Sequence, residues 1–154
     1  MAIKANFSVD DVKKRFGVFL NEVEKKEIER LQKLGEKCVT HARNILPPDA
    51  DKGFNDITGN LRSSIGYVVF NNGVAVHTGY EQVLNGGEGA KKGEALARKV
   101  GEKQKGVCLV VTAGMNYALC VEAKGRDVIT SAEKMAEREL PEELEKLVKN
   151  IKKV

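Results

Sequence analysis

A chain of 154 residues is long enough for one domain with a single core, and 42% hydrophobic residues are enough to fill it. Tryptophan is absent and aromatics make up only 5%, so the core is expected to rest on Val, Leu, Ile and Ala, and the stacking platforms of single-strand nucleic-acid binders are missing. A net charge of +4, from 26 basic and 22 acidic side chains, is a mild excess rather than a nucleic-acid signature, and no segment approaches the roughly 18 apolar residues of a membrane span.

Three cysteines, an odd number without framework spacing, argue against a disulfide scaffold and for free thiols in a reducing compartment. Residues 1–6 have no apolar leader region, so synthesis and folding in the cytoplasm are expected.

In chain order, Ser8 reads as a helix N-cap, with Asp10 and Asp11 in the first turn and Phe7 and Val12 placed for a hydrophobic staple. Apolar residues then recur at three- and four-residue steps: Val12, Phe16, Phe19, Leu20 and Val23, followed after one slip by Ile28, Leu31, Leu34, Cys38, Ala42 and Ile45. Pro47-Pro48 should end the run near Leu46. A continuous helix over residues 9–46 would be about 57 Å long, against a radius of gyration of about 15 Å for a compact chain of this size. It must bend, break or project, with Gly17, Gly35 and the slip near Glu24 as the places to do so. Projection would leave an apolar stripe without an internal partner.

A polar loop follows over residues 47–57, and then Thr58-Gly59-Asn60-Leu61-Arg62-Ser63-Ser64-Ile65, read as a turn entering a strand with Leu61 and Ile65 inward. The strand is expected over residues 64–70, with Asn71-Asn72-Gly73 as a hairpin turn into a second strand over 74–77. Residues 78–105 hold six glycines, and within them residues 91–105 hold the whole net charge, in Lys91, Lys92, Arg98, Lys99, Lys103 and Lys105 against Glu94 and Glu102. They read as an exposed, flexible excursion with at most a short helix over 94–103, mobile until assembly orders it and the first place trypsin should cut.

Residues 107–112 form a buried strand by composition, completing a small antiparallel meander. Residues 115–123 suit a short helix or an irregular strand closed by Gly125. From Thr130, with Glu133 three residues on as a capping box, the pattern is helical through Pro141, giving a kinked helix or two nearly collinear ones. The fold class is therefore α+β in a single domain over residues 1–154: a long N-terminal helix, a small antiparallel sheet and a C-terminal helix.

Signals for chemistry are weak. Cys38 and His41 lie one turn apart, as two zinc ligands would, but no second pair completes a tetrahedral site, and no metal or cofactor is expected. His77 with Cys108 or Cys120 could form a nucleophilic pair, yet both thiols lie in apolar runs where cysteine is usually inert. The stretch over residues 86–93 has the glycines and lysines of a phosphate loop without its spacing or its strand-to-helix setting. The six basic residues are candidate phosphate contacts of a purely electrostatic kind.

Two stretches together carry a family resemblance. Thr58-Gly59-x-Leu61-Arg62-x-Ser64-Ile65, followed by Tyr117-Ala118-x-x-Val121-Glu122-x-x-Gly125, between an N-terminal and a C-terminal helix, resembles the head-tail joining and tail-completion proteins of long-tailed bacteriophages. The basic excursion is longer than in that pattern, and Asp127-Val128-Ile129 stands where the pattern has a proline-containing end. The resemblance implies a virion assembly protein of a phage or prophage, without catalysis or cofactor, assembled in the host cytoplasm. It further implies a homo-oligomeric ring, of six subunits in that family, partnered by other neck or tail proteins and by DNA passing non-specifically through its lumen. The rival readings are a basic nucleic-acid-binding module using residues 91–105 and a small thiol-dependent enzyme. Within the signature, Arg62 is expected to pair with Glu122, since a partly buried guanidinium needs a carboxylate or several carbonyls.

Overall fold

Residues 6–45 and 53–152 are described by a computed structural model, and they form five helices and three strands. Helix α1 (Val9–Arg43) starts where expected. The Ser8 hydroxyl accepts from the Asp11 N–H at 3.1 Å and the Asp11 carboxylate accepts from the Ser8 N–H at 3.1 Å, a reciprocal cap for two otherwise orphaned donors. Phe7 and Val12, the proposed staple, are both exposed. The helix ends at Arg43 with Asn44 as its C-cap; Leu46, Pro47 and Pro48, named above as its stop, lie outside the described residues. Its 35 residues form one unbroken helix about 52 Å long. Of the three ways to accommodate that length, projection is the one adopted. Every described residue up to Glu22 is exposed, and burial on α1 starts in earnest only at Leu31.

Short helix α2 (Asn60–Ser64) leads into β1 (Ile65–Asn71). The turn expected at Thr58 to Ser64 is thus a helical turn: Gly59, at φ 80°, redirects the chain, and its carbonyl accepts from the Ser63 N–H at 2.9 Å. Leu61 and Ile65 are buried as expected. Strand β2 (Val74–Gly79) pairs antiparallel with β1 across the Asn72-Gly73 turn, both of whose residues have positive φ, as a two-residue hairpin requires.

Strand β3 (Val107–Ala113) also pairs antiparallel with β1, so the order is β2-β1-β3 rather than that of a simple meander. The reason lies in β1, which is buried on both faces over its first six residues and belongs in the middle. Strands β2 and β3 then run parallel, one strand apart, and parallel strands need a crossover rather than a hairpin. Helix α3 (Gly87–Gly101) is that crossover.

The flexible excursion expected over residues 78–105 is therefore corrected to a 15-residue helix laid on the sheet. Gly89, Gly93, Ala97 and Gly101 recur every four residues, line one face and are all buried. A methyl group at Gly89 would fall on the backbone of Asn60, at Gly93 on that of Ser64, and at Gly101 on the Phe70 ring. Glycine brings chain entropy, but on a helix at this spacing these glycines form a smooth stripe that allows backbone-close packing. Helix α2 and strand β1 supply the opposing surface, with Val68, Phe70 and Ala97 as the core on that side.

The other face of the sheet packs on α1, through Leu31 and Val39 against Tyr67 and Val69. Buried Phe54, Tyr67 and Phe70 give this core more aromatic content than the composition suggested. Helix α4 (Ala118–Ala123) closes with Gly125 at φ 80°, where Gly125 N–H donates to Glu122 O at 2.9 Å and Arg126 N–H to Val121 O at 3.4 Å, the paired bonds of a glycine-ended helix. Helix α5 (Thr130–Ile151) runs through Pro141 as one element. Pro141 lies on the exposed side, where the carbonyl it leaves unbonded can be hydrated. Helix α5 packs on α1, with Arg30 to Glu143 at 2.8 Å and Lys37 to Glu139 at 3.0 Å across the seam. The expected α+β class, with its long N-terminal helix, antiparallel sheet and C-terminal helix, is the one the structure shows.

Candidate interaction surfaces

The first signature stretch is a junction. Thr58 Oγ1 accepts from the Asn60 N–H at 3.3 Å, and a side chain at Gly59 would collide with the Val83 carbonyl. Ser63 Oγ donates to Val83 O at 3.2 Å and accepts from Val83 N–H at 2.7 Å, fixing the connection that leads to α3. Ser64, fully buried, donates its hydroxyl proton to Leu61 O at 2.7 Å and accepts from Met115 N–H at 3.3 Å, while its carbonyl accepts from Gly114 N–H at 3.2 Å. Ser64 therefore ties the first signature stretch to Gly114 and Met115, just ahead of the second stretch in the chain.

The expected Arg62 to Glu122 pair does not form. Arg62 Nε donates to Arg43 O at 3.2 Å, and Nη2 donates to Ile45 O at 3.3 Å and Phe54 O at 3.2 Å. The guanidinium also lies over the Phe54 ring, 4.5 Å from its centroid. The need for acceptors was real, and carbonyls meet it: those at the end of α1 lack helical partners and carry the negative end of its dipole.

Glu122 has a separate task. Its carboxylate accepts from the N–H groups of Ile129 and Thr130, both at 2.9 Å, from Val128 N–H at 3.3 Å and from the Thr130 hydroxyl at 2.8 Å. Burial pulls its pKa upward, but these hydrogen bonds outweigh burial and hold it below the ordinary range. The capping box expected from Thr130 and Glu133 is thus replaced: Thr130 is the first helical residue, Ile129 the N-cap without a side-chain bond, and Glu122 the cap from a distance. Tyr117 stands at the start of α4, partly exposed, while Ala118 is buried and Val121 packs on the core. The signature residues accordingly build and lock the scaffold.

The surfaces left without partners lie elsewhere. Along the projecting half of α1, Val9, Val12, Phe16, Phe19 and Leu20 form a stripe, with Phe16 60% and Leu20 49% exposed. The five-residue step from Val23 to Ile28 turns the apolar face by roughly a quarter of a turn at 3.6 residues per turn, so the projecting stripe does not continue the core-facing one. A second apolar surface is a groove of about 740 Å³ between the C-terminal half of α1, strand β3 and α5. Leu31 and Leu34 form its floor, Leu109 and Val111 one wall, and Leu140 and Leu144 the other. It exists because α5 packs on α1 and leaves the outer edge of β3 unpaired among the described residues.

The basic residues lie on α3 and the turn after it. Lys92 pairs with Glu88 at 2.6 Å and Arg98 with Glu94 at 2.7 Å, whereas Lys91, Lys99, Lys103 and Lys105 are exposed and in no ion pair among the described residues. Cys38 is buried, its thiol facing Ala132 O at 3.8 Å, and His41 meets the Ser131 hydroxyl at 2.8 Å, so the two proposed zinc ligands each have other contacts. Nor do His77 and Cys108 meet as a nucleophile and base. Strand β1 lies between them, His77 stacking on Tyr67 at 5.7 Å on one side and Cys108 packing with Val68 and Phe70 on the other. Burial raises the Cys108 thiol above its usual value, away from the reactive thiolate. Cys120 is exposed on α4.

No helix among the described residues is long and apolar enough to cross a membrane. No protein-family model, curated protein or solved structure matches this chain.

Proposed function

We propose that this protein is a non-enzymatic virion structural component of a long-tailed bacteriophage or prophage, joining head and tail or completing the tail as a homo-oligomeric ring. The observation that carries the reading is the projecting half of α1, whose apolar stripe is exposed and has no partner among the described residues of its own subunit. Exposing such a stripe on a monomer is unfavourable, and its burial by a neighbour accounts for it. The two signature stretches that resemble the phage family support the reading, since Leu61 and Ile65 of the first and Ala118 and Val121 of the second share one core cluster. Both edge strands, β2 and β3, have a side unpaired among the described residues that a neighbouring subunit can cover. Head-to-tail contacts that close by rotation yield a ring, and those that do not yield filaments.

The test is the mass and shape of the native assembly, by sedimentation and electron microscopy, alone and with the tail tube or head vertex of the source phage. Closed rings of uniform subunit number are expected. A chain that stays monomeric in both settings overturns the reading.

The four unpaired lysines on α3 and its following turn favour a secondary role in touching DNA, non-specifically, as it passes through the ring. Weak binding to duplex DNA that falls steeply with salt, and is lost in a Lys91→Glu/Lys99→Glu variant, is expected. Binding that ignores salt and survives the substitutions removes that role.

A further inference from the structure

We infer that the projecting half of α1 from one copy of this chain seats in the groove between α1, β3 and α5 of the next copy. This rests on the assembly reading above and names the contact that would build it.

The occupant is an apolar helix stripe by its chemistry, and the lengths agree. The groove follows α5 from Ile129 to Leu144, about 22 Å, and the stripe from Val9 to Val23 covers about 21 Å. Charge also agrees. Glu133 and Glu137 on the α5 rim are exposed and Glu27 on the α1 rim is half-buried, and none of the three belongs to an ion pair among the described residues. Burial, with Glu24 nearby, raises the Glu27 carboxyl above its ordinary value, and a cation brought beside it would offset both effects. On the arm, Lys13 and Arg15 flank the stripe on its two sides at 100° per residue, and they too are in no ion pair among the described residues. A helix lying in the groove would bring those cations to the acidic rim.

The arm cannot fill its own groove. Leu31, Leu34 and Cys38 of the same helix form the floor, and α1 is unbroken, so folding back would require the helix to snap. A second copy must supply the arm, and the contact joins two different surfaces, so it propagates head to tail.

The test uses two full-length variants. Phe16→Asp spoils the arm and leaves the groove intact; Leu144→Glu spoils the groove at a residue 40% exposed, and leaves the arm intact. Wild-type chain should associate as its concentration rises towards millimolar in sedimentation, and each variant alone should associate at least about ten-fold more weakly. Mixed, they should form a one-to-one dimer, since one good arm and one good groove remain. Circular dichroism establishes that each variant is folded. Should Leu144→Glu misfold, Glu133→Lys/Glu137→Lys replaces it, and partial rescue by Lys13→Glu/Arg15→Glu in the mixture is then expected.

Wild-type chain that is monomeric near millimolar overturns the inference while leaving open a ring templated by a partner. Wild-type rings that Leu144→Glu leaves unchanged also overturn it, and point to arms pairing with one another. If the mixture dimerises but wild-type chain grows as open filaments, the contact stands and the closed ring falls.

Discussion

Between residues 31 and 42 the apolar side chains of α1 are buried against the sheet and α5, with Leu34 only 3% exposed; between residues 9 and 20 side chains at similar spacing face solvent. One helix thus has a half that is held by its own domain and a half that is not. Periodicity identifies a face as apolar but not the surface that covers it, so the two halves look alike in sequence and differ only in what lies opposite.

The comparison is broken most directly by truncating one side chain in each half. Leu34→Ala should cost about 2–5 kcal/mol in urea unfolding, because it opens a cavity in the core. Phe16→Ala, at a concentration low enough to keep the chain monomeric, should stay within about 0.5 kcal/mol. Equal losses would mean that the arm is packed in the isolated chain.

Arg62→Met comes next, at about 1–3 kcal/mol, since it strips hydrogen bonds from three carbonyls, two of them at the end of the held half. Glu122→Gln should not reproduce that loss or couple to it in a double-mutant cycle, because the two side chains serve separate helix ends.

The two glycines of α1 sharpen the contrast further. A methyl at Gly35 would come within 2.6 Å of the Tyr67 ring, so Gly35→Ala should destabilise by about 1–3 kcal/mol. None of the described residues lies within 4 Å of a methyl at Gly17, and Gly17→Ala should stabilise the helix of the arm by about 0.5–1 kcal/mol, read by hydrogen exchange of its amides. A loss at Gly17 would show a neighbour that the isolated subunit lacks.

The smallest effect is one of pH. Hydrogen bonds from the Ser8 side chain and backbone hold the Asp11 carboxyl below its ordinary value. Its folded pKa is the lower one, so its contribution is complete above the unfolded value near 3.9 and is lost as pH falls through the folded value. Amides at the start of the arm should lose protection in that acid window, and Asp11→Asn should abolish the pH dependence without affecting the core half.

What the sequence disclosed, and what it withheld, follows from the range of the forces involved. Helix starts and turns are local, so Ser8, Asn72-Gly73 and Gly125 were readable with their roles. Signals that depend on a distant partner were not. The acceptors of Arg62 come from Arg43, Ile45 and Phe54, and the cap of α5 comes from Glu122, one helix away. Residues 87–101 differ from the expected loop because the entropy of their glycines is offset by close packing on α2 and β1. Their spacing, Gly89, Gly93, Ala97 and Gly101, was visible and would have indicated a helix pressed against a backbone. The arm and groove were half legible: the length of α1 announced a projection, while the groove arises from where α5 settles and has no sequence mark.

A rod clamped at one end is a lever. Val9 lies about 33 Å along the axis from Leu31, where burial begins. Long helices curve only gently, so a tilt of a few degrees at the clamp becomes a displacement of ångströms at the tip. The bearing surface of that lever is Tyr67 and Val69 beneath Leu31 and Val39, with Gly35 letting the Tyr67 ring in close. The angle at which any neighbour is held is thereby set inside the core, by side chains that never touch the neighbour.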